Sequence, residues 1–240
     1  MAEPVRLAVF ASGSGTNFQA LVDRFPAGGN EAARVALLVA SRPDAGAVER
    51  ARRAGVPSVV LPPEARDGDG REERFLLKAL RSEAADLVVL AGYLRLVPRG
   101  VVESYRGRML NIHPALLPAF GGPGMYGTRV HRAVLEAGVR VTGVTVHFVS
   151  EQYDRGPIAE QWPVPVLDTD DVESLASRVL EVEHAILPAV VEALAQGWIQ
   201  LDERDRSVWR APWRRGGRYV LGAASGAPPG LAPEIEDLSG

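Results

Sequence analysis

The chain has 240 residues, 46% of them apolar and 24% charged, and a formal net charge of −3. That balance suits one folded domain and excludes a wholly disordered chain, which would be poor in apolar residues, or a general polyanion binder, which would show a basic stripe. No cysteine is present, which excludes a disulfide framework, a thiolate zinc site, an iron–sulfur cluster and a Cys nucleophile.

In chain order, residues 5–11 form a continuous β-rich run, apolar from Leu7 to Ala11, as in a strand buried on both faces. Residues 16–25 place Phe18, Leu21, Val22 and Phe25 at helical spacing. Residues 35–40 predict a second buried strand. Residues 44–54 predict a helix that Asp44 can cap and Gly55 can end. A short strand over 58–61 precedes an exposed loop over 62–70. A helix over 71–84 carries the apolar stripe Phe75, Leu76, Leu77 and Leu80. Strands follow at 86–91 and 108–112. This alternation predicts βαβ units and a parallel sheet.

The second half changes character. Val144, Val146 and Phe148 alternate with Thr145, His147 and Val149, which predicts a strand with two unlike faces on the antiparallel side of a mixed sheet. Residues 169–196 predict a long helix capped by Thr169 or Asp170, with Pro188 kinking or interrupting it. The fold class expected is therefore α/β: a single-domain mixed, mainly parallel sheet with helices on both faces. Residues 1–197 form the domain. Residues 198–240 form a carboxyl-terminal extension, partly irregular, with a loosely held Gly/Ala/Pro-rich tail over 223–240.

The amino terminus lacks the basic-then-apolar pattern of a signal peptide. No apolar run approaches the roughly 20 residues that a bilayer requires. The expectations are a cytoplasmic protein with small-molecule substrates, no nucleic acid, no membrane and no metal, acting as monomer or homodimer.

Three stretches carry chemistry. Ser12-Gly13-Ser14-Gly15-Thr16-Asn17 follows the first strand and opens the first helix. Glycines at such a turn let the backbone approach a ligand, and free N–H groups with the helix dipole favour an anion, typically a phosphate. No Lys follows Gly15, so this is not a Walker motif, and Phe18 stands where the dinucleotide fingerprint requires Gly. The plainer alternative is a tight strand-to-helix turn.

Asn111 and His113 lie two apart at the end of a strand, so their side chains share a face where open α/β sheets bind ligands. An amide donor beside an imidazole can stabilise an oxyanion and exchange a proton with it. The alternative is a buried histidine satisfying a hydrogen bond. Asp154 sits in the Gly/Pro-bounded loop after the strand over 143–149. A carboxylate near His113 would favour the imidazolium and raise its pKa; alone, Asp154 reads as a turn residue. His131, His147 and His184 show no metal spacing, and His147 is expected against a packed surface. The Arg and Trp residues over 208–219 read as ordinary surface.

Taken together, SGSGTN after the first strand, NIHPALLP and GVTVHFVSEQYDRGPI resemble the glycinamide branch of the formyltetrahydrofolate-using transferases, over residues 5–197. The resemblance implies a Rossmann-like formyltransferase fold and a one-carbon transfer in de novo purine biosynthesis. The formyl group would pass from 10-formyltetrahydrofolate, a co-substrate, to the amine of 5-phosphoribosylglycinamide. It implies catalytic roles for Asn111 (formyl oxygen), His113 (general acid) and Asp154, which would hold His113 protonated. Gly15, Thr16, Asn17 and Glu183 would bind the ribotide. Arg71, Leu94, Arg95, Leu96, Val97 and Asn111 would bind the folate, with Ser150, Glu151, Gln152, Tyr153 and Asp154 closing over its ring. Alternatives are a formyltetrahydrofolate hydrolase, an initiator-tRNA formyltransferase or a sugar-phosphate-binding module without catalysis. An NAD oxidoreductase fits less well, because Ala40-Ser41-Arg42 offers no acidic residue for a ribose.

Overall fold

Strand β1 (Val5–Ala11) is apolar from Leu7 onward because its side chains there alternate between two buried layers. Leu7, Val9 and Ala11 pack into one layer, Ala8 and Phe10 into the other. The computed structural model describes residues 3–30, 32–66 and 70–210; the expected loose tail over 223–240 lies outside them. Seven strands form one sheet in the order β3-β2-β1-β4-β5-β6-β7. Strands β2 (Ala33–Ala40), β3 (Ser58–Val60), β4 (Leu87–Leu90) and β5 (Met109–His113) run parallel to β1. Strands β6 (Val141–Phe148) and β7 (Ile158–Pro165) continue it antiparallel.

One face is covered by α1 (Thr16–Arg24), α2 (Gly46–Ala54), α5 (Thr128–Glu136) and α6 (Val172–Ala195). The other is covered by α3 (Arg71–Ser82) and α4 (Arg99–Ser104). The expected α/β architecture is thus present. The chain winds outward from β1 to β3, then returns to β4 on the other side of β1. This reversal opens a crevice at the carboxyl ends of the central strands, the usual ligand position in such sheets.

Several local details differ from expectation. The residue before α2 is Ala45, with no side-chain cap, and Asp44 instead lies 3.5 Å from Arg42 at the surface. Helix α6 is capped by Asp171 in a reciprocal box with Ser174, whereas Asp170 is drawn into a bidentate pair with Arg178. The helix runs unbroken through Pro188. Its buried stripe, including Leu175, Val179, Ile186, Leu187 and Val190, compensates for the bond that the proline cannot make.

Helices α4 and α5 and strand β7 were not apparent from periodicity. Strand β7 carries Pro163 and Pro165 and stands at the sheet edge, where a missing N–H is tolerated. The extension from residue 198 begins as a hairpin of β8 (Ile199–Leu201) and β9 (Ser207–Trp209). Ile199 is buried in the main core, and Trp209 Nε1 donates to the Ala159 carbonyl. Among the described residues, no helix is long and apolar enough to cross a membrane.

Candidate active site

The carboxyl ends of β1, β4 and β5 open on a cavity of about 650 Å3, walled also by α5, α6 and the loop before α5. Ser12 ties three strand ends together. Its Oγ accepts from the Ser41 hydroxyl at 2.7 Å and from the Leu94 N–H at 3.0 Å, and its N–H donates to the Gly92 carbonyl. The segment after β4 is thereby fixed against the turn after β1.

Gly15 is required by that turn. Its φ is +75°, and a Cβ there would lie 2.6 Å from the Ala47 Cα at the start of α2. Helix α1 therefore begins with its first-turn N–H groups at the cavity end, where an anion is favoured. Thr16 and Asn17 line the cavity, whereas Gly15 shapes the turn behind it. Asn17 Nδ2 donates to Glu183 Oε2 at 2.6 Å, joining α1 to α6. Burial pushes the Glu183 carboxyl up to about 7, and the Asn17 bond counters only part of that.

Strand β5 presents Asn111 and His113. Across the antiparallel pair, Asn111 faces His147 and His113 faces Thr145. Asn111 Nδ2 donates to His147 Nε2 at 3.0 Å, and His147 Nδ1 donates to the Phe148 carbonyl at 2.9 Å. Those two bonds set the tautomer of His147 and the orientation of the Asn111 amide. His147 is buried, as expected of a packed surface, and is also a member of the polar site. Its signal was the register: on a two-faced strand it stands opposite Asn111.

Asp154 follows on the loop after β6. It has a φ of +53°, a strained value for a residue with a side chain. Gly156 lets the loop fold back, since a Cβ there would lie 1.7 Å from the Phe148 carbonyl oxygen. Gly122 N–H donates to Asp154 Oδ2 at 2.8 Å. The same Oδ2 stands 3.6 Å from His113 Nδ1, and Oδ1 stands 3.6 Å from His147 Nε2. His113 Nε2 donates to the Phe120 carbonyl at 2.8 Å.

Burial raises the Asp154 pKa, but His147, His113 and the Gly122 N–H outweigh it, so the carboxyl ionises below its usual range. His113 departs from expectation. Burial depresses its pKa below 6.5; the Asp154 charge and the Phe120 bond pull upward without making up the difference, and His147 adds to the depression. The carboxylate does come close, but desolvation decides the sign, and the uncharged ring is favoured.

Leu94 and Leu96 are half-exposed at the cavity, beside Val97 and Tyr153. Arg95 also lines it, with its guanidinium 2.7 Å from Glu72 Oε2. Of the segment 150–154, Tyr153 and Asp154 reach the wall; Ser150, Glu151 and Gln152 do not, and Glu151 lies 3.3 Å from Arg99. Arg71 is exposed at the start of α3 and outside the wall. Met125, Tyr126 and Thr128 also line the cavity. Among the described residues, no group of His, Asp or Glu is arranged to hold a metal ion.

The formyl transferase family pattern matches residues 5–191. The chloroplastic phosphoribosylglycinamide formyltransferase of Arabidopsis thaliana is 46% identical over 199 residues, covering 82% of this chain and 68% of that one. The phosphoribosylglycinamide formyltransferase of Bacillus subtilis is 38% identical over 189 residues, covering 79% of this chain and 94% of that one. The crystal structure of glycinamide ribonucleotide transformylase 1 from Symbiobacterium toebii superposes with a TM-score of 0.77 at 41% identity, covering 87% of this chain and 95% of that one. The chain belongs to the formyl transferase family, in the branch of the phosphoribosylglycinamide formyltransferases.

Proposed function

We propose that the protein transfers the formyl group of 10-formyltetrahydrofolate to the amine of 5-phosphoribosylglycinamide, a step of de novo purine biosynthesis. The convergence of Asn111, His113 and Asp154 on the cavity that also holds Asn17 and Glu183 carries this reading. The cavity volume lies within the range of small-molecule sites, roughly 300–1,000 Å3. Its apolar rim of Leu94, Leu96, Val97 and Tyr153 suits the flat folate ring. The first turn of α1 suits the phosphate, with Gly15 shaping the turn and Thr16 and Asn17 in the wall. The Asn17–Glu183 pair suits the ribose hydroxyls. Ser150, Glu151 and Gln152 serve by holding the loop that delivers Tyr153 and Asp154. Arg95 belongs to the same ring-binding segment, its guanidinium held by Glu72, and Arg71 is the cation for the acidic end of the folate.

The amine nitrogen attacks the formyl carbon, a C–N bond forms, and the carbonyl electron pair moves to oxygen. Asn111 has two amide hydrogens; His147 takes one, and the other is available to the oxyanion. His113 Nε2 is held by Phe120, so Nδ1 is the nitrogen that takes the proton shed by the attacking amine. Asp154 then faces an imidazolium and stabilises it. As the tetrahedral intermediate collapses, His113 returns the proton as general acid to the departing folate nitrogen. No covalent enzyme intermediate is needed. We assign the reaction to the cytoplasm and the enzyme to a monomer or homodimer.

The test is formyl transfer by the purified chain with glycinamide ribotide as sole amine acceptor. Formylated ribotide is expected; its absence, or free formate made without any amine, would overturn the assignment and favour the hydrolase reading.

A further inference from the structure

The cavity wall holds one buried polar side chain that the reading above does not use. His131, on α5, is 5% exposed and shares the cavity with His113, Asn17 and Glu183. Its Nδ1 is buried and has no hydrogen-bond partner. Asn17 Oδ1, in the same wall, is orphaned in the same way. Leaving a buried polar atom unpaired costs about 1–3 kcal/mol, so each such atom in a folded protein calls for a reason.

The contrast with His147 is informative. A histidine whose work lies within the protein satisfies its ring nitrogens internally, as His147 does through Phe148 and Asn111. Among the described residues, no such bond pins His131. Burial, and then the nearby His113, depress its pKa, and no carboxylate acts against them. An uncharged imidazole offers one acceptor and one donor nitrogen. The two orphans of this wall are an amide oxygen and a ring nitrogen, and both can accept. Each of the two lacks a donor.

We propose that His131 is a substrate-contacting residue on the amine side of the cavity, whose ring accepts a hydrogen bond from an N–H group of the amine substrate as it reaches from Glu183 toward His113. This rests on the reading that the acceptor is a ribosyl glycinamide, which carries N–H groups between its sugar and its reacting amine. Asn17 Oδ1 accepts from a sugar hydroxyl beside it.

The test varies the two substrates separately in the full-length chain. His131→Ala raises the KM for glycinamide ribotide about three- to tenfold, the range of one hydrogen bond between uncharged groups. The KM for the folate stays within about twofold, a split that general loosening of the fold would not produce. His131→Gln, which keeps an acceptor, recovers most of the loss. In the wild type, the His131 ring signals in the NMR spectrum of isotope-labelled protein shift on adding glycinamide ribotide alone. An unchanged ribotide KM in His131→Ala, an equal rise in both KM values, or unmoved ring signals would each overturn the proposal. Wild-type protein that fails to formylate the ribotide overturns the proposed function instead. The NMR titration then still decides the His131 contact, a shift supporting it and no shift ending it.

Discussion

Asp154 Oδ2 stands 3.6 Å from His113 Nδ1, just beyond hydrogen-bond reach, while the other ring nitrogen of His113 is tied to the Phe120 carbonyl. The pair is unlatched: burial favours the uncharged ring, and in the proposed mechanism the carboxylate engages once the ring takes a proton. Catalytic hydrogen bonds often tighten only around substrate. Asp154→Asn keeps the size and tolerates the positive φ, since Asn enters the left-handed region readily. The variant is therefore expected to fold with a melting temperature close to wild type while kcat falls about 10²- to 10⁴-fold. Thermal melts and steady-state rates decide this; near-wild-type turnover would remove Asp154 from the proton path.

His147 holds the Asn111 amide by a 3.0 Å bond. His147→Phe removes that acceptor and frees the amide to rotate, so kcat is expected to drop about tenfold with both KM values little changed. His147→Gln supplies an acceptor and recovers part of the rate. Equal activity in the two variants would show that the bond does not position Asn111.

Gly15→Ala meets two obstacles, a φ of +75° and an Ala47 Cα 2.6 Å from the new Cβ. Stability is expected to fall by about 1–3 kcal/mol, measured by denaturant unfolding. The amine substrate is expected to bind more weakly, because the first turn of α1 shifts with the loop. A variant as stable as wild type would mean that the turn relaxes freely.

The pH dependence of stability has two opposed parts. For His113 and His131 burial lowers the native pKa, so below about 6.5 the unfolded chain binds more protons, and stability falls as the pH drops through that value. Glu183 is raised from 4.5 to about 7, so its contribution is full below 4.5 and is lost as the pH rises to about 7. Glu183→Gln removes the second part. The stability difference between wild type and variant is expected to move against the wild type by up to about 3 kcal/mol between pH 4.5 and 7.5. Urea unfolding at the two pH values measures it, and a difference independent of pH would place the Glu183 titration outside that window.

The sequence by itself determined the parallel half of the sheet. Strands β1, β2 and β4 are apolar apart from Arg6 and Arg34, near the amino-terminal ends of β1 and β2, because both faces of the rest are covered, and such runs need no partner to be read. It also determined which ends carry the site, since SGSGTN, Asn111, His113 and Asp154 all fall at or just beyond carboxyl ends of strands. Strand β7 was hidden by its prolines, which only an edge position tolerates, and α4 by its six-residue length. Tertiary structure alone decided where the histidines stand. Register placed His147 against Asn111, and the packing of α5 brought His131 into the cavity wall. The charge of His113 is the clearest case. Proximity to Asp154 is written in the motifs, but the sign of the pKa shift depends on how much water the fold removes from the ring, and burial is a property of the whole packed molecule rather than of any stretch of sequence.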